Sequence, residues 1–127
     1  MIKNIIKTLL AIGLIQSASA FAAGQPFTQS QFDSLMKDGK PVVVHVHAPW
    51  CPTCRAQDPT IAAEMKSPAY KAVTFLEVDF DTQKDVLKEF NVSTQSTILV
   101  FKQGKELGRF TGKTKEAEIE ELTKKAI

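Results

Sequence analysis

The sequence predicts an α/β fold: a central mixed β-sheet with helices on both faces, its elements in the order βαβαβαββα. Runs of β-branched and apolar residues alternate with segments whose apolar residues recur at helical spacing. This alternation favours parallel strands that are joined by covering helices. The last two strand-like runs are separated only by Gln103-Gly104, a turn typical of an antiparallel hairpin.

The first elements are expected to be a short strand, a helix and a central strand. The short strand is placed at Phe27–Thr28, and Ser30 is expected to cap a helix that runs to about Asp38. Gly39 is expected to end this helix, because glycine tolerates the backbone conformation that follows a helix terminus. The run VVVHVH over 42–47 is mostly β-branched and predicts a buried central strand.

A second helix is expected to follow the cysteines and to run to about Met65. Its expected inner face consists of Ala56, Ile61, Ala62 and Met65. The run VTFLEVD over 73–79 predicts the next strand, and the segment 82–90 predicts a short helix.

The C-terminal part is expected to form the hairpin and a last helix. The run TILVFK over 97–102 predicts a strand, and 106–111 predicts its antiparallel partner. Thr114 is expected to cap the last helix. The expected inner face of that helix consists of Ile119, Leu122 and Ala126.

Length and composition indicate one globular domain. The chain has 127 residues, of which 43% are hydrophobic and 24% are charged. It has 16 Lys and Arg and 14 Asp and Glu; without Lys3 and Lys7, 14 basic residues face 14 acidic ones. A near-neutral domain with no basic cluster on an expected helix face argues against nucleic-acid binding.

The first residues have the pattern of a secretory signal peptide. Lys3 and Lys7 precede the uncharged run TLLAIGLI, and small residues follow it. We therefore expect a signal peptide over 1–20, with cleavage after Ala20 or after Ala22, and one domain over 21–127. The apolar run is shorter than the roughly 20 residues of a membrane-spanning helix. An uncleaved N-terminal anchor is the alternative.

Both cysteines lie in the segment WCPTC, directly after the expected central strand. A disulfide between Cys51 and Cys54 closes almost no loop, so it adds little stability through chain entropy. This spacing favours redox chemistry, with a passive bridge or half of a soft-metal site as alternatives. No His or further Cys stands at zinc-finger spacing, and we expect no metal or other cofactor.

The chain resembles the thioredoxin family over nearly its whole length after the N-terminal segment. The resemblance rests on the element order, on WCPTC after a strand, on Pro59 five residues beyond Cys54, and on FKQGKELGRFTG near the end. The C-x-x-C spacing alone is weak evidence, whereas its combination with the strand, the tryptophan and the hairpin is strong. The resemblance implies a thioredoxin fold and thiol–disulfide oxidoreductase activity.

Cys51 is expected to be the nucleophile, because free N–H groups and the dipole at a helix N-terminus favour a thiolate. Cys54, one turn on and more buried, is expected to resolve the mixed disulfide. Pro52, which has no N–H, and Thr53, which has an N–H and a hydroxyl near Cys51, are expected to tune the redox poise. In the family, glycine-proline at these positions goes with reductants, so Pro-Thr leaves the direction of electron flow open.

Trp50 resembles the tryptophan that flanks the first cysteine of the family. The resemblance implies that this side chain shields the site and offers a flat surface to the substrate. A packing aromatic without a functional role is the alternative.

His45 is the first departure from the family pattern, which has a buried aspartate six residues before the first cysteine. The resemblance implies that His45 accepts the proton of Cys54, with a pKa nearer neutral than that of an aspartate. A buried neutral histidine bonded to backbone is the alternative. His47 is expected on the same side of the strand, as a packing residue near the site.

Ser96 is the second departure, because it occupies the place of the family's cis-proline. The resemblance implies that Gln95 pairs with the substrate backbone, and Ser96 adds an N–H and a hydroxyl beside the sulfurs. A cis bond before a non-proline residue costs about 3–4 kcal/mol, against less than about 1 before proline. We therefore expect a trans Gln95–Ser96 bond.

These observations together predict a periplasmic thiol–disulfide oxidoreductase, monomeric and without a stable membrane span once processed. Its expected partners are protein or small-molecule thiols and disulfides and an upstream redox partner, with no nucleic acid. Two alternatives stay open. One is a redox-inactive binding module that holds partners around Trp50 and Gln95, and the other is a soft-metal carrier in which two chains each offer Cys51 and Cys54.

The overlapping Ala-x-Ala sites lead to a prediction about the mature chain. N-terminal sequencing of the exported protein should read FAAG if cleavage follows Ala20, or AGQP if it follows Ala22. A full-length, membrane-bound product would contradict the prediction.

Overall fold

The structure is a computed structural model of the chain, and it describes residues 24–127. The expected signal peptide and both cleavage sites lie outside the described residues. The elements are β1 (Gln25–Pro26), α1 (Gln29–Lys37), β2 (Val42–His47), α2 (Pro52–Lys66), β3 (Thr74–Asp79), α3 (Lys84–Glu89), β4 (Thr97–Lys102), β5 (Lys105–Thr111) and α4 (Glu116–Thr123). Two short 3₁₀ helices, Pro68–Tyr70 and Lys124–Ala126, complete them. Within this part of the chain, no helix is long and apolar enough to cross a membrane.

The five strands form one mixed sheet in the order β1-β3-β2-β4-β5. The strands β1, β3 and β2 are parallel, whereas β4 is antiparallel to both β2 and β5. The sequence pattern predicted the hairpin but not the reversal of β4 relative to β2. Helix α3 is short, with six residues that span about 9 Å. The chain stays near the ends of β2 and β3, and β4 begins there, since its Thr97 pairs with Val46.

The alternation of side chains along β2 divides the core into two layers. Val42, Val44 and Val46 belong to a cluster with Phe32 of α1 and Leu87 of α3. Val43 belongs to a second cluster, which contains residues of α2 and α4. This second cluster includes Ile61, Ile119, Leu122 and Ala126. Because side chains alternate along a strand, His45 and His47 lie on the face of Val43, under α2.

The inner face of α2 differs from the prediction. Its buried residues are Cys54, Gln57, Ile61 and Glu64, whereas Ala56 and Met65 are exposed. Only Ile61 of the expected face is fully buried. The apolar spacing was misleading because two polar side chains, Gln57 and Glu64, face inward and form hydrogen bonds there.

The N-terminal elements begin slightly earlier than predicted. The first strand is Gln25–Pro26 rather than Phe27–Thr28, because it pairs with β3 at Leu76 and Glu77. The cap of α1 is Thr28, whose hydroxyl accepts the N–H of Gln31, and not Ser30.

The C-terminal helix α4 follows Lys115, and the expected capping residue Thr114 forms no cap. The predicted inner residues Ile119, Leu122 and Ala126 are buried as expected, although Ala126 lies in the 3₁₀ helix that follows α4. The chain turn at Gly39 also has the expected left-handed backbone, with φ of +67°.

Glu64 is a buried carboxyl group between α2 and α4. Its Oε1 accepts the Thr123 hydroxyl at 2.7 Å, and the same hydroxyl lies 3.0 Å from the Tyr70 hydroxyl. Its Oε2 has no hydrogen-bond partner among the described residues. Burial, together with the charges of Glu120 and Glu116, raises the pKa of Glu64 to about 7. The carboxyl is therefore more easily buried as a neutral acid.

We predict that Glu64→Gln raises the free energy of unfolding at pH 8 by on the order of 2 kcal/mol and changes it little at pH 4.5. The folded chain retains the Glu64 proton up to about pH 7, whereas the ordinary pKa of this carboxyl is 4.5. Wild-type stability therefore falls as pH rises between these values, and glutamine, which is uncharged, avoids this loss.

Urea denaturation at the two pH values measures the effect, with the exposed Glu121→Gln as the matched control. An equal effect of Glu64→Gln at both pH values would contradict the assignment.

Candidate active site at the start of helix α2

The two cysteines lie at the N-terminus of α2, directly beyond the carboxyl end of β2. Cys51 is the N-cap residue, and its Sγ accepts the backbone N–H of Cys54 at 3.1 Å. Both are free thiols. The expected difference in burial is absent, because Cys51 is 1% and Cys54 0% exposed, with Phe80 packed against the pair. The site is a covered dithiol at a helix terminus.

The surroundings shift the pKa values of the two thiols in opposite directions. Burial raises the pKa of Cys51, but hydrogen bonds from Cys54, from Ser96 and from the first backbone N–H groups of α2 outweigh it and lower the pKa. Burial and the hydrogen bond to Cys51 raise the pKa of Cys54. Cys51 is therefore the thiol with the larger thiolate fraction at a given pH.

Ser96 joins the site from the loop before β4. No peptide bond within residues 24–127 is cis, so the predicted trans Gln95–Ser96 bond is confirmed. The Ser96 N–H, which was expected beside the sulfurs, donates to Val46 O at 2.8 Å instead. The hydroxyl is the group that faces the sulfurs: Oγ lies 3.1 Å from both Cys51 Sγ and Cys54 Sγ.

Gln57 connects Ser96 with His45. Its side-chain nitrogen donates to Ser96 O at 3.1 Å and to Lys113 O at 2.9 Å. Its Oε1 lies 2.8 Å from His45 Nε2, so this histidine nitrogen carries a proton and donates. His45 is thus bonded to a side chain rather than to backbone. The path from its ring to the cysteines passes through Gln57 and Ser96.

His47 lies between two carboxylates. Its Nδ1 is 2.8 Å from Glu77 Oε1 and its Nε2 is 3.1 Å from Asp58 Oδ2. The hydrogen bond to Glu77, opposed by burial and supported by Asp58, raises the pKa of His47 to about 9. His47 is therefore a cation at neutral pH, and not the packing residue that the sequence suggested.

The pKa of His45 shifts in the opposite direction to that of His47, although the two residues lie on the same face of β2. Burial lowers its pKa, against the effect of the Gln57 hydrogen bond. Its Nδ1 lies 3.9 Å from Asp58 Oδ1, and neither atom has a hydrogen-bond partner within residues 24–127. His45 is consequently a neutral ring at pH 7.

Trp50 lies at the protein surface beside the cysteines. Its side chain is 55% exposed, and its indole N–H donates to Asp81 Oδ2 at 2.8 Å. Its ring forms a T-shaped contact with Phe80 at a centroid distance of 6.5 Å, and Lys84 Nζ lies 4.2 Å from the centroid of the same Phe80 ring. The indole is thus held in place while much of its surface stays open.

The remaining expected site residues flank this centre. Pro52 is exposed and Thr53 is half-buried in the first turn of α2. Gln95 is half-buried and directly precedes Ser96. The structure therefore gathers Cys51, Cys54 and Ser96 within direct contact, and it places the other expected residues around them.

Four polar residues of the site were missed from the sequence: Gln57, Asp58, Glu77 and Asp81. Gln57 could have been found, because it lies one turn beyond Cys54 on the same helical face. Glu77 is paired with His45 in the sheet register, and Asp58 and Asp81 reach the site from other segments. Those placements depend on the tertiary fold.

The chain is similar to known proteins in sequence and fold. The family model described as Thioredoxin matches residues 24–125. Thioredoxin H2 of Arabidopsis thaliana is 37% identical over 76% of this chain and 68% of its own length. Thioredoxin-1 of Saccharomyces cerevisiae is 39% identical over 67% of this chain and 81% of its own.

Solved structures agree with the sequence relatives. Trxlp from Edwardsiella tarda has a TM-score of 0.75 at 33% identity, covering 78% of this chain and 96% of that one. Mitochondrial thioredoxin 3 of Saccharomyces cerevisiae, in its oxidised form, has a TM-score of 0.68 at 26% identity, covering 77% of this chain and 91% of that one. With a dithiol at the N-terminus of α2 and a family match over most of its length, the chain belongs to the thioredoxin family and is a thiol–disulfide oxidoreductase.

Proposed function

We propose that Cys51 attacks the substrate disulfide and that Cys54 resolves the resulting mixed disulfide. The observation that carries this assignment is the position of the Cys51 sulfur, which accepts the N–H of Cys54 as the cap of α2. A thiolate is stabilised by such N–H groups and by the helix dipole. Cys54 lies inside the helix, where burial raises its pKa. The reverse steps oxidise a substrate dithiol, and the reduction potential of the pair relative to its partners sets the direction.

We predict that Cys51→Ser abolishes exchange with a disulfide substrate, because the nucleophilic sulfur is lost. Cys54→Ser should retain the first step and accumulate a mixed disulfide on Cys51, because no second sulfur can release the product. Mass spectrometry of the trapped species, with peptide mapping of the linked cysteine, distinguishes the two variants.

The double variant Cys51→Ser/Cys54→Ser is the control for non-specific thiol chemistry, since these are the only two cysteines of the chain. Equal amounts of adduct on both single variants would contradict the assignment of the nucleophile.

We further propose that His45 accepts the proton that Cys54 releases during resolution. A base must be unprotonated before it acts. The burial of His45 lowers its pKa and therefore favours the neutral ring. Its hydrogen bond reaches Gln57, which in turn holds the Ser96 carbonyl beside the sulfurs. A second way for His45 to act is therefore to position Ser96 through Gln57.

We predict that His45→Ala slows resolution by about a hundredfold and leaves the attack of Cys51 nearly unchanged. His45→Gln is the matched variant, because its amide can still donate to Gln57 but cannot take up a proton at neutral pH. Stopped-flow measurement of both steps as a function of pH separates the roles.

Slow resolution in both variants, with an altered pH profile, supports a base. Recovery of the rate in His45→Gln identifies a positioning residue. Rates within twofold of wild type in both variants, with only reduced stability, would leave His45 as a core residue.

We also propose that the protein is exported to the periplasm and acts there on protein thiols and disulfides. The support is the sequence pattern of residues 1–22 and the start of the family match at residue 24, just beyond both expected cleavage sites. An oxidising compartment is also where structural disulfides form and need correction.

A further inference from the structure

The hydroxyl of Ser96 is placed symmetrically between the two reacting sulfurs. Its Oγ lies 3.1 Å from Cys51 Sγ and 3.1 Å from Cys54 Sγ, and the residue is 3% exposed. A serine hydroxyl has one O–H to donate and lone pairs that accept hydrogen bonds, and it rotates freely about its C–O bond. The same oxygen can therefore accept a hydrogen bond from the S–H group of one cysteine while it donates to the sulfur of the other.

The backbone of Ser96 is held rigidly around this hydroxyl. Its N–H donates to Val46 O at 2.8 Å. Its carbonyl accepts from Gln57 Nε2 at 3.1 Å and from the Gly112 N–H at 3.0 Å. Three segments of the chain thus fix the position from which the side chain projects onto the sulfurs.

The backbone conformation of Ser96 is one that glycine adopts with less strain. Its φ is +63°, in the left-handed region where glycine is free of strain and other residues are not. Glycine would fit this backbone with less strain but would leave the two sulfurs without a hydroxyl.

We propose that Ser96 is a catalytic residue of thiol–disulfide exchange, whose hydroxyl donates to Cys51 Sγ before attack and to Cys54 Sγ during resolution. This inference rests on the proposed function of the cysteine pair. The switch between the two sulfurs requires only rotation of the O–H bond, because the oxygen is equally far from both.

The exchange then proceeds in two balanced steps. In the first, the Cys51 thiolate attacks a substrate R–S–S–R′; the Cys51–S–R bond forms, the substrate S–S bond breaks, and R′–S⁻ leaves. Cys51 no longer carries a charge, so the hydroxyl turns to Cys54. In the second, Cys54 loses its proton to His45, the base proposed above, and attacks Cys51 Sγ. The Cys51–Cys54 disulfide forms, the Cys51–S–R bond breaks, and R–S⁻ leaves and takes up a proton. Two electrons pass from the dithiol to the substrate.

Four ionisable side chains lie near this network within residues 24–127. The side chains of His45 and His47 on β2, Asp58 on α2 and Glu77 on β3 form contacts among themselves. Their connection to Ser96 runs through the neutral amide of Gln57. Loss of the Ser96 hydroxyl therefore changes the hydrogen bonding of the sulfurs, while these four side chains keep their contacts with one another.

The test compares Ser96→Ala and Ser96→Gly with the wild type, using the pH dependence of iodoacetamide alkylation of Cys51 in the reduced chain. Both variants lack the hydroxyl, but glycine relieves the left-handed strain and alanine keeps it. In both variants we expect the alkylation midpoint to rise by about one pH unit, which is a roughly tenfold lower acid dissociation constant of the Cys51 thiol. We also expect resolution to slow by about tenfold or more.

Gln103→Gly is the matched control, because Gln103 has a similar φ of +53° in the turn between β4 and β5, away from the sulfurs. It should leave the alkylation midpoint and both rates unchanged. An unchanged midpoint in both Ser96 variants, or a shift in Ser96→Ala that Ser96→Gly does not share, would overturn the inference.

The failure of this inference differs from a failure of the proposed function. If only the role of Ser96 is wrong, the wild-type chain and Ser96→Gly still form the mixed disulfide and resolve it at equal rates. If the proposed function is wrong, the wild-type chain forms no mixed disulfide on Cys51 at all, and the inference falls with it.

Discussion

The buried amide of Gln57 is the interaction on which the site depends, because it joins three segments that are distant in sequence. Its side-chain nitrogen donates to the carbonyls of Ser96 and Lys113, and its oxygen accepts from His45, so both polar atoms of the amide have hydrogen-bond partners. A buried amide that lost one partner would leave a polar group unsatisfied, which costs about 1–3 kcal/mol. The helix that carries the cysteines is thereby tied to β2, to the loop before β4 and to the segment before α4.

Most of the fold could be predicted from the sequence because the strands have strong local patterns. The run of valines and histidines in β2 and the run TILVFK in β4 were placed with their observed bounds. The direction of β4 could not be predicted, since it depends on the path of the chain between β3 and β4 rather than on any pattern within the strand. The inner face of α2 was misjudged because hydrogen bonding, and not apolarity, allows Gln57 and Glu64 to be buried there.

In the site, too, residues with local sequence patterns could be predicted, whereas contacts that depend on the tertiary fold could not. The two cysteines and Trp50 were found because their spacing and order are local features of the chain. The partners of His47 were not, because Glu77 reaches it from the neighbouring strand β3 and Asp58 from α2, which packs on β2. Likewise, the sequence predicted that Ser96 lies beside the sulfurs but did not predict its left-handed backbone. In that conformation the N–H points to Val46 O, and only the hydroxyl contacts the sulfurs.

The two histidines on one face of β2 differ in charge, and the charged one, His47, contacts two carboxylates rather than the sulfurs. His47 is a cation that offsets one of the two negative charges of Asp58 and Glu77, whereas His45 stays neutral and meets the amide of Gln57. Burial raises the pKa of Cys51, and short hydrogen bonds from Cys54, Ser96 and the helix N-terminus lower it. Such bonds act over about 3 Å and are hardly screened by salt, in contrast to a charge at the surface. The reactivity of the pair therefore depends on the geometry of a few buried donors, and that geometry is what the network around Gln57 maintains.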